Sequence, residues 1–185
     1  MKSPTIESTS YVIRPFKTSD AELWQIWDTD PKIQAFMPEP FNEAQNIEEQ
    51  YKYIEECEAD EEGFYWSIET KNGTTIGTVA LTELNSYHQV ANLGIVIGDK
   101  NYWGKGVATE VISILVNYAF EHLNISRISA EVEDGNVGMM KAFEKVGFKQ
   151  DGIFESARIK NNQRIRVYHF GIINISLTTT FESKY

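Results

Sequence analysis

The stretch that most narrows the possible folds is an apolar run, Leu93–Ile97, that passes through Asn101-Tyr102-Trp103-Gly104-Lys105-Gly106 into a long helical pattern. Val107, Val111, Leu115, Tyr118 and Ala119 fall on one side of that helix, which is predicted over Gly104–Leu123. Arg127–Val132 then reads as a strand. Two strands joined through a helix can lie parallel in one sheet. The two glycines let the backbone turn tightly and approach a ligand closely. The helix start offers free N–H groups and a positive dipole end, an anion site suited to phosphate or pyrophosphate, with Lys105 adding charge. No Gly-Lys-Ser/Thr closes the loop, and Thr109 stands where a dinucleotide fingerprint needs its third glycine. Read alone, the loop fits a glycine-rich turn without a ligand equally well.

Upstream, Phe64–Thr70, Thr75–Leu84 and Val90–Ile97 read as an antiparallel meander, with a turn at Lys71-Asn72-Gly73 and a loop over Asn85–Gln89. Val12–Phe16 is a first strand. A helix capped by Thr18 or Ser19 follows, carrying Leu23, Trp24, Ile26 and Trp27. Pro31, Pro38 and Pro40 mark an irregular stretch before a helix over Glu43–Glu61, whose acidic end opposes the dipole. Downstream come a helix over Asn136–Val146 ended by Gly147, and strands Phe148–Phe154 and Val167–Ile175 joined by a polar segment containing Asn161-Asn162. The order predicts a mixed α/β (α+β) domain with antiparallel and parallel pairs.

Charge is uneven. Residues 1–62 carry 15 acids and 5 bases and residues 63–185 carry 12 of each, so the net charge of −10 sits in the first third. Nucleic acid needs a cationic footprint and is not expected as a partner. The acidic third suits a cationic substrate or is simply a solvated face. No apolar run approaches the roughly 20 residues of a membrane span, and the first residues lack a signal peptide's apolar stretch, so no membrane role is expected. One cysteine, Cys57, excludes an internal disulfide and a multi-thiolate zinc site; no metal is expected. A reducing cytoplasmic setting is the expectation.

Beyond the glycine loop stands Asn136-Val137-Gly138-Met139-Met140-Lys141-Ala142-Phe143-Glu144-Lys145-Val146-Gly147-Phe148. With the loop, this makes the chain resemble the GNAT superfamily of acyl-CoA-dependent N-acyltransferases. It is most similar to the branch of ribosomal-protein alanine acetyltransferases and spermidine acetyltransferases. Ile13-Arg14-Pro15 with Ser19-Asp20-Ala21-Glu22, Ile76-Gly77-Thr78, Leu93–Gly98 and Tyr102–Glu110 match that branch in order. The resemblance covers nearly the whole chain.

It implies one GNAT-type domain over 1–185. Acceptor-side elements would fill 12–62, the meander 63–98, the CoA-binding core 99–148 and C-terminal strands 149–176. The sheet would be mixed and mostly antiparallel, flanked by helices. Its fourth and fifth strands (Val90–Ile97 and Arg127–Val132) would splay, helped by a bulge in the fourth. Acetyl-CoA would lie in that gap, against Ile95, Val96 and Ile97. Its pyrophosphate would sit at Tyr102, Trp103, Gly104, Lys105, Gly106, Val107 and Ala108, with Asn136, Met139 and Phe143 alongside. An amine would attack the thioester directly, with a backbone N–H around Leu93–Ile95 stabilising the oxyanion. Cys57 is not needed as a nucleophile.

Three positions depart from the family pattern. Phe143 replaces a tyrosine that serves as general acid, Met139 a serine and Asn92 a glutamate. Glu83 is the first alternative base, since a spermidine-type relative carries an acid there. His88 is the second, with an ordinary pKa of about 6.5, or else a solvated residue. Asn92 can hold a water. Tyr87 and Tyr168 are proton donors or packing tyrosines, and Glu131 points opposite to Ile128, Ala130 and Val132. Trp24, Trp27, Phe36 and Met37 either wall the acceptor site or pack a core. Arg158, Lys160, Arg164 and Arg166 make a second, basic acceptor-side stretch, which could meet the acidic third within a chain or across a homodimer. The implied activity is acetyl transfer to a primary amine of a small molecule, a polyamine or a peptide N-terminus. The alternative is an acyl-CoA-binding regulatory module without turnover.

Overall fold

The computed structural model describes residues 3–37 and 46–176. Along the chain run β1 (Ile6–Glu7), β2 (Tyr11–Pro15), α1 (Asp20–Asp28), α2 (Pro31–Gln34), α3 (Ile47–Ala59), β3 (Phe64–Thr70), β4 (Thr75–Asn85), β5 (Val90–Ile97), α4 (Val107–His122), β6 (Arg127–Glu133), α5 (Val137–Val146), β7 (Lys149–Lys160) and β8 (Gln163–Ile173). The strands form one sheet in the order β1-β2-β3-β4-β5-β6-β8-β7. Its pairs are antiparallel except β5–β6, which are parallel neighbours joined through α4. The short β1 was not expected, so the expected third, fourth and fifth strands are β4, β5 and β6.

Helices cover both faces. Ala91 and Leu93 of β5 join a core with Trp66, Leu115, Ile128 and Phe170. Val96 packs instead against a second cluster of Ala21, Trp24, Trp27, Ile33 and Ile54. The period-2 alternation of β5 therefore divides the molecule into two sides. One carries α4 and α5, the other α1 and α3.

Several local expectations change. Ser19 makes no side-chain cap. Asp20 takes over, accepting from the Lys17 N–H and from both guanidinium arms of Arg14 (2.7 and 2.8 Å). Pro31 opens α2 at its first turn, behind the Asp30 cap, rather than breaking the chain. Pro38, Pro40 and the expected helix start at Glu43 lie outside the described residues. The third helix starts instead at an Asn46–Glu49 capping box. It stops at Ala59, before the last acids, and Asp60 turns away to accept from the Tyr65 hydroxyl at 2.6 Å. The polar segment around Asn161-Asn162 is a tight hairpin turn, with φ of +50° and +60°, which extends β7 and β8 towards each other. Hydrophobic patterning missed these strand ends because Glu155–Arg166 is mostly charged and polar.

Arg14 and Asp20 are both buried, and Ser67 donates to the same carboxylate at 2.6 Å. Burial alone would raise the Asp20 pKa, but the bonds from Arg14, Ser67 and Lys17 more than offset it and hold the carboxyl below its ordinary range. The pair clips the start of α1 to β2 and β3. Asp20→Asn is expected to cost about 3 kcal/mol at neutral pH by urea denaturation. A depressed folded pKa contributes stability that is present above the unfolded value of about 3.9 and lost as pH falls through the folded value. The gap between wild type and variant should therefore hold at neutral pH and close in acid.

Candidate active site

The parallel pair does not run its full length. Val90, Ala91 and Asn92 pair with Arg127, Ile128 and Ser129, and pairing then stops. Beyond that point β5 continues to Ile97 and β6 to Glu133. Along Leu93–Ile97 one edge of β5 pairs with β4 and the other faces an open slot. The splay is as expected, but the bulge is not in β5. From Ile97 to Asn92 that strand pairs regularly with β4. The irregularity lies on β4, between Thr82 and Asn85.

At the slot's end, Gly104 and Gly106 have φ of +71° and +82°, and Gly106 caps α4. A Cβ added at either would meet nothing within 4 Å, so backbone conformation requires glycine there and the space above the loop is open. Glu110 donates back to the Gly106 carbonyl at 3.0 Å, so the amides before it, from Val107 on, begin the helix without intrahelical partners. The Trp103 indole donates to the Ile97 carbonyl at 2.7 Å and ties loop to strand. Lys105 is exposed, with its ammonium 5.5 Å from the Tyr102 ring centre. Free amides at a helix start suit a pyrophosphate, and unpaired strand peptides suit an amide-bearing arm, so these residues fit acetyl-CoA.

Across the slot, Asn136 caps α5 by accepting from the Met139 N–H at 3.2 Å. Val96 faces α1 and α3, whereas Ile95 packs on the α4–α5 core. Ala108 and Met139 are half-buried, and Val107 is buried. Phe143 is 2% exposed, its ring 4.8 Å from Phe148 and 5.8 Å from Phe170. An apolar ring suits that core position.

On the other side of the sheet, Asn92 donates through Nδ2 to Glu83 Oε2 at 2.5 Å. The structure thus joins two of the three catalytic candidates. His88 sits on the exposed β4–β5 turn, where its N–H meets Asn85 and its ring packs on Tyr87. Tyr87 is exposed, and the Tyr168 hydroxyl reaches Asp134 at 3.4 Å. Gly94 follows Asn92 on the same side, and a Cβ there would meet nothing within 4 Å. An exposed strand glycine of this kind permits close approach of a ligand.

Trp24 and Trp27 are buried in the α1–α3 core. Phe36 stays 41% exposed. Among the described residues, the basic stretch forms its ion pairs with acids at the end of β6 and on β7. Arg158 bridges Glu131 and Glu133, Arg166 meets Asp134 and Glu155, and Lys160 donates to Glu133 (2.6 Å) and to the Met37 carbonyl (2.7 Å). Lys160 therefore fastens the C-terminal hairpin to the segment leaving α2. Glu133 was not singled out from the sequence. Cross-strand charge pairing could not have found it, because Arg158 and Lys160 stand on β7, which β8 separates from β6 in the sheet order. Burial pushes the Cys57 thiol up to about 12, which keeps it from acting as a thiolate.

The GNAT acetyltransferase domain family matches residues 11–149. The chain belongs to that family. It is 32% identical over 155 residues to a probable N-acetyltransferase, YjcK, of Bacillus subtilis, covering 80% of this chain and 85% of that one. It is 26% identical over 145 residues to the spermidine N(1)-acetyltransferase of Escherichia coli, covering 77% and 75%. Its fold matches the Vibrio cholerae spermidine N-acetyltransferase in complex with CoA and spermine, with a TM-score of 0.81 at 22% identity, over 90% of this chain and 96% of that one. The chain is thus an N-acetyltransferase. No described helix is long and apolar enough to cross a membrane.

Glu133 is buried and depends on Lys160 for its shorter ion pair. Lys160→Met is expected to lower unfolding stability by about 2 kcal/mol in urea denaturation. Arg164→Met, at an exposed position on the same hairpin, should be near neutral.

Proposed function

We propose that this enzyme takes acetyl-CoA into the slot between β5 and β6 and transfers the acetyl group to a primary amine of a small molecule or a peptide N-terminus. The observation that carries the reading is the slot itself, a strand edge without a ladder partner that leads to a glycine-capped helix start. Along Leu93–Val96 the free peptide groups would hold the pantetheine arm, and the amides from Gly104 to Ala108 the pyrophosphate; the Ile97 carbonyl and the Trp103 N–H already have partners, the Trp103 indole and the Lys100 carbonyl. The amine would come from the Asn92–Gly94 side. Once neutral, its nitrogen attacks the thioester carbon, the C–N bond forms, the C–S bond breaks, and the proton that the nitrogen then sheds passes, directly or through water, to the departing CoA sulfur. A backbone N–H around Leu93–Ile95 would stabilise the oxyanion. Glu83 would take the ammonium proton, directly or through water.

Exposed acids on α3 (Glu48, Glu49, Glu55, Glu56 and Glu58) favour a cationic acceptor by steering. The test of the reaction is free-thiol release from acetyl-CoA with polyamines, aminoglycosides, amino acids and short peptides. Turnover with one class supports the reading, and acetyl-CoA binding without turnover on any of them contradicts it. Gly106→Val, which places a β-branched residue at φ +82° on the loop, should weaken acetyl-CoA binding at least tenfold by calorimetry while the protein stays folded. Unchanged affinity would remove the loop from the site.

Glu83→Gln should cut kcat about 100-fold at neutral pH. The deficit should shrink at high pH, where a primary amine with a pKa of about 10 is already neutral. A pH–rate profile identical to wild type would reject Glu83 as base.

A further inference from the structure

We infer that Asn92 is a positioning residue for Glu83, and that the β4 bulge turns the Glu83 carboxylate onto the amine side of the sheet. The inference rests on the reading of Glu83 as base. Leu81 is fully buried, so period-2 alternation would carry Glu83 towards the same core. The register prevents this. Thr82 pairs with Asn92 and Asn85 with Val90, so Glu83 and Leu84 together stand opposite Ala91. Glu83 takes φ of +52°, a state that non-glycine residues adopt only when their surroundings hold them there. Asn92 lies between the buried Ala91 and Leu93, so its own side chain points the opposite way, towards the amine side. The two side chains meet, Nδ2 donating to Oε2 at 2.5 Å.

The contact does two things. It fixes the rotamer of an exposed and otherwise mobile carboxylate, and it engages one oxygen while the other stays available. Gly94, the next residue on the same side, keeps space open beside the pair. In the step, the ammonium N–H bond breaks and its proton passes to Oε1, directly or through water. The amine keeps the electron pair, and the Asn92 amide keeps its hydrogen bond and exchanges no proton. A residue that acts by aiming another has no effect once that other is removed.

The test is a double-mutant cycle on the full chain, with thiol release measured on the panel amine of highest turnover. Asn92→Leu keeps the volume and removes the donor. It is expected to lower kcat about tenfold with the acetyl-CoA KM unchanged, and to cost nothing further in the Glu83→Gln background. Asn92→Gln, which retains an amide donor, should recover part of the loss. Losses that multiply in the double variant would overturn the positioning role. So would wild-type kcat in Asn92→Leu beside an impaired Glu83→Gln. An unaltered pH–rate profile in Glu83→Gln would instead strike the base reading itself, which separates the two failures.

Discussion

The site depends on one constraint: β5 and β6 hydrogen-bond for only a few residues and then part. A parallel pair that stayed zipped would satisfy every peptide group internally and leave no slot. Here each strand is held on its outer edge instead, β5 by β4 and β6 by β8, so the sheet survives the interruption. In the proposed reading, the inner edge of β5, unpaired beyond Asn92, would offer its donors and acceptors to a ligand that is itself amide-rich. The glycine loop then places a helix start at the end of that row. Binding geometry of this kind comes from topology, and side chains contribute little beyond shape.

The same strands separate two tasks by face. Residues of β5 that point one way pack on α4 and α5 and support the cofactor side. Those that point the other way are Asn92, Gly94 and Val96, of which Val96 packs on the α1–α3 cluster, and the proposed reaction brings the amine in on that side. The Arg14–Asp20 pair anchors α1 there, and Lys160 fastens the C-terminal hairpin to β6 through Glu133 and to the segment after α2 through the Met37 carbonyl. The Lys160 contacts join parts of the chain far apart in sequence, whereas Arg14 and Asp20 are six residues apart.

Much of this was legible in the sequence. The strands 64–70 and 90–97, the helix after Gly106 and the helix from Asn136 to Val146 follow from alternation and helical spacing, and the structure places them at those positions within a few residues. The glycine loop was legible because positive φ leaves few residue choices. The β7–β8 hairpin was half hidden, since its outer part alternates charges rather than apolar residues. The bulge was assigned to the wrong strand. Nothing in Glu83-Leu84 announces a positive φ, and it is the register with β5 that requires it. The resemblance leads one to expect a carboxylate where Asn92 stands. The sequence could not show that a neighbouring strand turns one towards it. Trp24 and Trp27 were ambiguous for a different reason, because an amphipathic helix carries the same stripe whether it lines a core or a site.

The slot is the claim on which the functional account stands, and hydrogen–deuterium exchange with and without saturating acetyl-CoA tests it most directly. The account expects protection concentrated in Leu93–Ile97 and in the loop and first turn of α4, where free amides gain partners. Acetyl-CoA that leaves both segments exchanging at their unliganded rates, or that protects only residues elsewhere on the sheet, would contradict it.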